Sequence, residues 1–273
     1  MSIDSVQVAD KYNILNMITD THAHYDDRAF DEDRDILLDS MADKNVGTII
    51  HAAADPNGNK AGFDLCDRYP FFKTMIGLHP DDIAYLTDDF YKWMEEKADD
   101  KRVVAVGEIG LDYYWMKNPP EVQKKGFFRQ AELAAKKDLP ICIHSRNALE
   151  DTVEILKEAS VMGLGGVVHC YSYDVKTAEI LLDLGYYFGI GGVLTFKKAD
   201  ELKETVRMLP LDRIVLETDA PYLSPEPFRG KRNDSSRISY VVEKMAEIKG
   251  IEPKEIIRAT TENAGKVYPR LFA

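Results

Sequence analysis

Two histidines two residues apart, in Asp20-Thr21-His22-Ala23-His24, follow a short apolar run. In a strand, residues i and i+2 share a face, so both imidazoles project from one edge toward one point. Imidazole is the commonest neutral metal ligand, and two such rings make half a divalent-cation site. An incidental polar pair at a strand end is the plain alternative, and the other candidate partners decide between the two. The chain has six histidines: His22, His24, His51, His79, His144 and His169. Five fall at or just after the expected C-terminal end of a strand, and His51 falls near one. Glu108 sits in Gly107-Glu108-Ile109-Gly110-Leu111-Asp112, and Asp219 in Glu217-Thr218-Asp219-Ala220-Pro221, again near strand ends.

Imidazoles mixed with carboxylates suit hydrolysis by water activated on divalent cations. Two cations a few ångströms apart repel, so they need a bridging anion and several neutral donors. Glu108 suits the bridge, with two oxygens on a flexible stem. Asp219 can bind one cation and take a proton from the acidified water, so an ordinary carboxylate serves as base. Glu217 shares a face with Asp219 and competes for that role. His51 has the weakest case and reads as structural. Cys142 and Cys170, beside the histidines, fit core packing better than ligation.

These residues need a frame that brings strand ends together. The expected strands are Ile14–Asp20, Gly47–Ala53, Phe72–Leu78, Val103–Ile109, Pro140–His144, Gly166–Cys170, Tyr186–Ile190 and Ile214–Glu217. Segments of helical period separate them: Leu149, Val153, Leu156 and Ser160; Val175, Ala178 and Leu182; Ile238, Val241, Met245 and Ile248. Phe128, Ala131, Ala135 and Leu139 predict a further amphipathic helix after Pro119-Pro120. Eight strands each followed by a helix predict an α/β fold, a closed parallel (β/α)8 TIM barrel. The rim at the C-terminal strand ends is where such barrels place their chemistry, so the metal site is expected there. A doubly wound open sheet fits less well, because no Gly-x-Gly-x-x-Gly follows a strand.

At 273 residues, 45% of them hydrophobic and 30% charged, the chain suits one large domain. Residues 17–273 are read as that domain and residues 1–16 as an N-terminal extension dispensable for the site. Met1 to Leu15 carry charges within the apolar stretch and do not read as a secretory signal. No window approaches the ~18 consecutive apolar residues of a membrane span. Three cysteines, Cys66, Cys142 and Cys170, do not make a disulfide framework and suggest reduced thiols in the cytoplasm. The formal net charge of −12 argues against coating or packaging nucleic acid. A phosphate-bearing substrate must be gripped locally, by a few placed cations or by bound metal.

The motifs Asp20-Thr21-His22-Ala23-His24, Gly77-Leu78-His79-Pro80, Gly107-Glu108-Ile109-Gly110-Leu111-Asp112, Ile143-His144-Ser145-Arg146, His169-Cys170-Tyr171-Ser172, Glu217-Thr218-Asp219-Ala220-Pro221 and Phe228-Arg229-Gly230-Lys231-Arg232-Asn233 resemble the TatD family of metal-dependent deoxyribonucleases. The similarity runs from Asp20 to about Pro269. It implies a TIM barrel of the amidohydrolase superfamily with a two-metal site. His22, His24, Glu108 and Asp219 would hold one cation, and Glu108, His144 and His169 the other. It further implies phosphodiester hydrolysis with magnesium, manganese or zinc, often as a 3′-to-5′ exonuclease on DNA. Two departures stand out: Asp234-Ser235-Ser236 replaces the Glu-Pro expected after Asn233, and the N-terminal segment is extra.

Around this site, Arg146 lies two residues after His144, on the same rim, and can grip a phosphate oxygen. His79 can donate to another phosphate oxygen or lie against the sugar. Arg229, Lys231 and Arg232 form a small basic loop after the eighth strand. Tyr113, Tyr114 and Trp115 can stack on a base or simply pack a long loop. The expected substrate is single-stranded DNA or DNA 3′ ends. No membrane and no obligate protein partner is expected, and the chain should be a monomer or weak oligomer. The rivals are an amidohydrolase-superfamily hydrolase of a small cyclic amide, lactone or phosphoester, and a barrel that binds without turnover. Many such hydrolases bridge their metals with a carboxylated lysine, whereas Glu108 stands at that position here.

Overall fold

The computed structural model of the chain describes residues 14–273. The expected extension therefore lies, through residue 13, outside the described residues. Eight strands form one parallel sheet in chain order: β1 (Ile18–Ala23), β2 (Val46–His51), β3 (Phe72–Ile76), β4 (Val103–Asp112), β5 (Ile141–Arg146), β6 (Gly166–Val168), β7 (Tyr187–Ile190) and β8 (Ile214–Leu216). The intervening helices are α1 (Arg34–Asp39), α2 (Pro56–Arg68), α3 (Asp88–Lys97), α4 (Pro120–Lys137), α5 (Leu149–Val161), α6 (Val175–Asp183), α7 (Asp200–Met208), α8 (Ile238–Lys249) and α9 (Pro253–Val267). The expected TIM barrel is what the chain forms. None of these helices is long and apolar enough to cross a membrane.

Local chemistry starts the helices where it should. Asp55 caps α2 by accepting from Asn57 N and Gly58 N, with Pro56 at the first helical position. Thr87 caps α3 through Phe90 N. Strand residues alternate between two apolar layers. Ile49, Val103 and Ile143 face the helices, whereas Ile50, Met75, Val104, Cys142, Val167 and Val215 fill the barrel interior. Tyr268, Leu271 and Val267 close that interior, so it is a packed core beneath the polar rim and no pore.

Strand bounds differ from expectation where non-local pairing decides them. Ile14–Met17 form a turn, closed by Met17 N on Ile14 O, and β1 begins only where Ile18 N reaches Asn45 O. β4 and β5 run further than expected because they pair with each other past the rim, through Gly110 with His144 and Asp112 with Arg146. The buried face of α4 is also rotated from the expected stripe. It presents Gln123, Phe127, Gln130 and Leu133, and the two glutamines have partners there. The Gln130 amide pairs with both N–H and C=O of Leu78, and the Gln123 amide with those of Asp112. Each satisfies backbone where β3 or β4 leaves the ladder.

The barrel closes between β8 and β1 by an unusual seam. β8 has three residues, so the seam is completed by loop backbone: Asp219 N donates to His22 O at 2.9 Å and His24 N to Ala220 O at 2.7 Å. Thr21 Oγ1 adds a bond to Leu216 O. Asp20, fully buried, accepts from Thr218 N (3.0 Å), Thr218 Oγ1 (2.6 Å), Ser235 Oγ (2.6 Å) and His22 N (3.3 Å). Ser235, one of the residues that depart from the resembled motif, is thus a fully buried partner of the opening Asp20.

Gly110 permits the β4–β5 pairing that places His144. Its φ is +148°, and a Cβ there would stand 1.9 Å from His144 O. Gly110→Ala is expected to cost roughly 2–4 kcal/mol, read as a shift in denaturant midpoint. A midpoint equal to that of the unsubstituted chain would show that the β4–β5 approach is not tight.

Candidate metal centre

The strand ends bring all six expected donors together: five line one cavity, and His22 is buried beside them. His22 lies inside β1 and His24 just beyond it, and their Nε2 atoms stand 3.2 Å apart. His24 Nε2 lies 3.2 Å from Asp219 Oδ1 and 3.6 Å from Glu108 Oε2, and His22 Nε2 lies 3.4 Å from the same Oε2. Two ligand atoms held about 2.1 Å from one ion at tetrahedral angles are about 3.4 Å apart. His22, His24 and Asp219 lie close enough to share one cation, with Glu108 Oε2 beside both rings. The other oxygen of Glu108 faces a second set, with Oε1 2.8 Å from His144 Nδ1 and 3.4 Å from His169 Nε2.

The far nitrogens of three rings are hydrogen-bonded, as in metal-binding histidines, and that of His169 faces a carboxylate without a hydrogen bond. His24 Nδ1 meets Ala52 O at 2.9 Å, and His22 Nδ1 meets Cys142 Sγ at 3.4 Å. His169 Nδ1 lies 3.3 Å from Glu217 Oε1, and His144 Nε2 3.1 Å from Asp112 Oδ2. Cys142 therefore stands behind a ring, on the core side. Glu217 and Asp219 are separated by the same logic. Glu217 is buried behind His169 and accepts from Cys170 N, and a Cβ on Gly189 would meet it at 2.1 Å. The Asp219 side chain is 17% exposed against 1% for Glu217, and it reaches the cavity. It does so from a left-handed backbone, φ +57°, that turns the chain inward.

His79, Asp112 and His144 form a further three-donor group. His79 Nδ1 accepts from Asp81 N, so the neutral ring carries its proton on Nε2, 3.9 Å from Glu108 Oε1. It points a donor, not a lone pair, at the centre. His51 is fully buried away from the cavity, with Nε2 on Gly58 O at 3.1 Å.

The cavity, about 800 Å³, is lined on one side by Asp26, Asp27, Asp55, Asp81 and Asp82. Arg146 and Trp115 line another part of the wall. The Arg146 guanidinium carbon lies 4.0 Å over the Tyr114 ring. Arg229 and Lys231 are not part of the wall: Arg229 stacks on Phe196 at 4.3 Å, and Lys231 is exposed on the adjoining loop. Arg232 is committed to a two-pronged pair with Asp33. Tyr113 donates to Asp151 and packs, while Tyr114 and Trp115 are the exposed rings. Asp112, Gln123 and Asp20 were not singled out as site residues by the sequence reading, and the Asp ending the Glu108 motif was the one available signal.

A family model described as "TatD related DNase" matches residues 19–269. "Uncharacterized metal-dependent hydrolase YabD" of Bacillus subtilis (strain 168) is 39% identical over 252 residues, 92% of this chain and 99% of its own. "Uncharacterized metal-dependent hydrolase YcfH" of Escherichia coli (strain K12) is 34% identical over 256 residues, 92% and 95% of the two chains. Among solved structures, that of YJJV, a TatD homolog from Escherichia coli, superposes with a TM-score of 0.87 at 30% identity, covering 94% and 99%. The chain belongs to the TatD family of metal-dependent hydrolases. A Deinococcus radiodurans PTE-like lactonase, at 13% identity and TM-score 0.67, shares the barrel.

In this TatD-family centre the carboxylates outweigh burial. Burial disfavours a charged His24, yet Asp219 and Glu108 raise it to about 9. Burial likewise opposes charge on His169, and Glu217 and Glu108 raise it to about 10. Burial would raise Glu108, but His169 and His22 hold it well below the carboxylate range. Burial, with the charge of His169, lowers His22. Burial and the charge of His144 lower His79 to about 3, so it is a neutral donor at working pH. Protons on His24 and His169 occupy the nitrogens that would bind a cation, and each must leave when one binds. Uptake at pH 7 should release about two protons, and affinity should keep rising with pH until about 9 to 10. Calorimetry in buffers of different ionisation enthalpy reads the release. Uptake without protons, at pH-independent affinity, would contradict this charge assignment.

Proposed function

We propose that this chain hydrolyses phosphodiester bonds of DNA, at 3′ ends of single strands, with two divalent cations at the centre. The observation that carries the proposal is Glu108, whose two oxygens face two separate sets of imidazoles across one cavity. His22, His24, Glu108 and Asp219 would hold one cation, and Glu108, His144 and His169 the other. The mixed nitrogen and oxygen set is compatible with magnesium, manganese or zinc. When bound, such cations acidify water and neutralise charge that develops on phosphoryl oxygens.

The chain's own groups supply the rest. Arg146 grips a non-bridging oxygen from the lip, and the neutral His79 donates Nε2–H to another. Asp219, held ionised by His24 against the effect of burial, takes the proton of the attacking water on its Oδ2. Water oxygen bonds to phosphorus, the bond to the leaving oxygen breaks, and that oxygen takes up a proton. Arg229 and Lys231 would meet the neighbouring phosphates outside the cavity wall. The acidic side of the wall disfavours a polyanion there, which suits a terminus better than a continuous strand. The family description "TatD related DNase" supports the same substrate.

Labelled single-stranded DNA with defined ends, tested beside a panel of cyclic amides and lactones, decides the substrate. Chelator should abolish cleavage and added manganese or magnesium restore it, with loss from the 3′ end. Cleavage of amides or lactones in place of DNA would overturn the reading. Asp219→Asn should keep the fold and lose about 10²–10⁴-fold in kcat. Near-normal turnover would remove Asp219 from the role of base. Residues 17–273 are proposed to suffice as the domain, so deleting residues 1–16 should leave cation binding unchanged, and its loss would refute that.

A further inference from the structure

Building on the metal-centre reading, we propose that Asp112 is a positioning residue. It accepts the Nε2 proton of the His144 tautomer that offers Nδ1 to a cation, and it hangs the aromatic lip of the cavity on the same carboxylate. Asp112 is 1% exposed at the end of β4. Its Oδ2 lies 3.1 Å from His144 Nε2, while His144 Nδ1 faces Glu108 Oε1 at 2.8 Å. A neutral imidazole has one N–H, and an ionised carboxylate only accepts. Both ring nitrogens face a carboxylate, so a cation that takes Nδ1 and Glu108 Oε1 leaves the single proton on Nε2, where Asp112 Oδ2 accepts it. Oδ1 accepts from Tyr114 N at 2.9 Å and Trp115 N at 2.8 Å. Gln123 holds the backbone of Asp112 from both sides.

The partners of the other three rings do not reach the lip in this way: Ala52 O, Cys142 Sγ and Glu217 serve His24, His22 and His169. Asp112 differs because its second oxygen sets the start of the loop that carries Tyr114 and Trp115. Arg146 stacks on those rings, 4.0 and 5.6 Å from their centroids. One buried carboxylate thus joins a candidate cation ligand to the surface that a substrate phosphate and base would meet. Whatever orders this loop should also favour the binding tautomer, and the reverse holds by reciprocity.

Two substitutions separate the two jobs of the carboxylate. Asp112→Asn keeps an oxygen for the Tyr114 and Trp115 N–H groups, but turns its NH2 toward His144 Nε2. That nitrogen must then accept, and the proton moves to Nδ1, on the cation side. Turning the amide over would set its NH2 against two N–H donors and lose both bonds. Asp112→Ala removes the tautomer bias and the loop bonds together. Mn2+ affinity of the full chain, measured by competition with a chromogenic chelator, should fall in the order unsubstituted, Ala, Asn. The Asn variant should be about 10–100-fold weaker at one of two sites, with its melting temperature kept, whereas the Ala variant melts earlier. Two-bond 1H–15N spectra of the chain loaded with diamagnetic Zn2+ should show His144 protonated on Nε2, and Asp112→Asn should need about 10–100-fold more Zn2+ to give that pattern. The His144 signals are identified by their loss in His144→Gln.

An Asn variant that binds Mn2+ like the unsubstituted chain, with Nε2 still protonated, would overturn the proposal. So would an Ala variant weaker than Asn, because anchoring the loop would then be the whole role. An unsubstituted chain that takes up neither Mn2+ nor Zn2+ would sink the metal-centre reading, and this role of Asp112 with it.

Discussion

Closure of the sheet is the constraint on which the rest of this structure depends. A barrel has no free edge only if its last strand meets its first. Here β8 is too short to form a full ladder with β1, and the seam is completed at the rim by Asp219 N on His22 O and His24 N on Ala220 O. The residues that close the barrel are the candidate cation donors or their immediate neighbours. Closing the fold and bringing His22, His24 and Asp219 together are one event. Asp20 holds the seam from beneath, and burial pushes its carboxyl up to about 7 even though Ser235, Thr218 and His22 N donate to it. A buried acid is tolerated where several donors converge and no apolar side chain could replace them.

Above the seam, charge organises the cavity. Glu108, Asp219, Glu217 and Asp112 surround four imidazoles and hold His24 and His169 protonated until something more cationic replaces those protons. The arrangement is a cation-binding one on an acidic chain. On the proposed function, a phosphate-bearing substrate would be gripped by bound cations and Arg146 rather than by the general surface of a chain of net charge −12.

The supporting residues act at one remove. Gln123 and Gln130 on α4 satisfy backbone at the ends of β4 and β3, so that Asp112 keeps its position on the side away from β5 and the Leu78-His79 turn keeps its own past the end of β3. Gly110 and Gly189 make room, the first for His144 backbone and the second for the Glu217 side chain. These contacts join residues from 11 to 52 positions apart in the chain, by the separations of the glutamine bonds. Periodicity within one helix cannot register them.

The sequence by itself determined the fold class and the six candidate donors, because both rest on local regularities. Eight apolar runs with helices between them admit a barrel, and a rim then follows for residues at strand ends. It favoured Asp219 with Glu217 as the competitor, since two residues on one strand face look alike until their neighbours are known. Tertiary structure separates them, walling Glu217 in behind His169 and turning Asp219 into the cavity. It also decided that Arg229 and Lys231 stand outside the cavity wall, that Arg232 is spent on Asp33, and that the buried face of α4 carries glutamines. Each of these depends on which side of a backbone meets a distant partner. Strand ends moved for the same reason: β1 starts late and β4 runs long because hydrogen bonds to a neighbour, not apolar content, set where a strand stops.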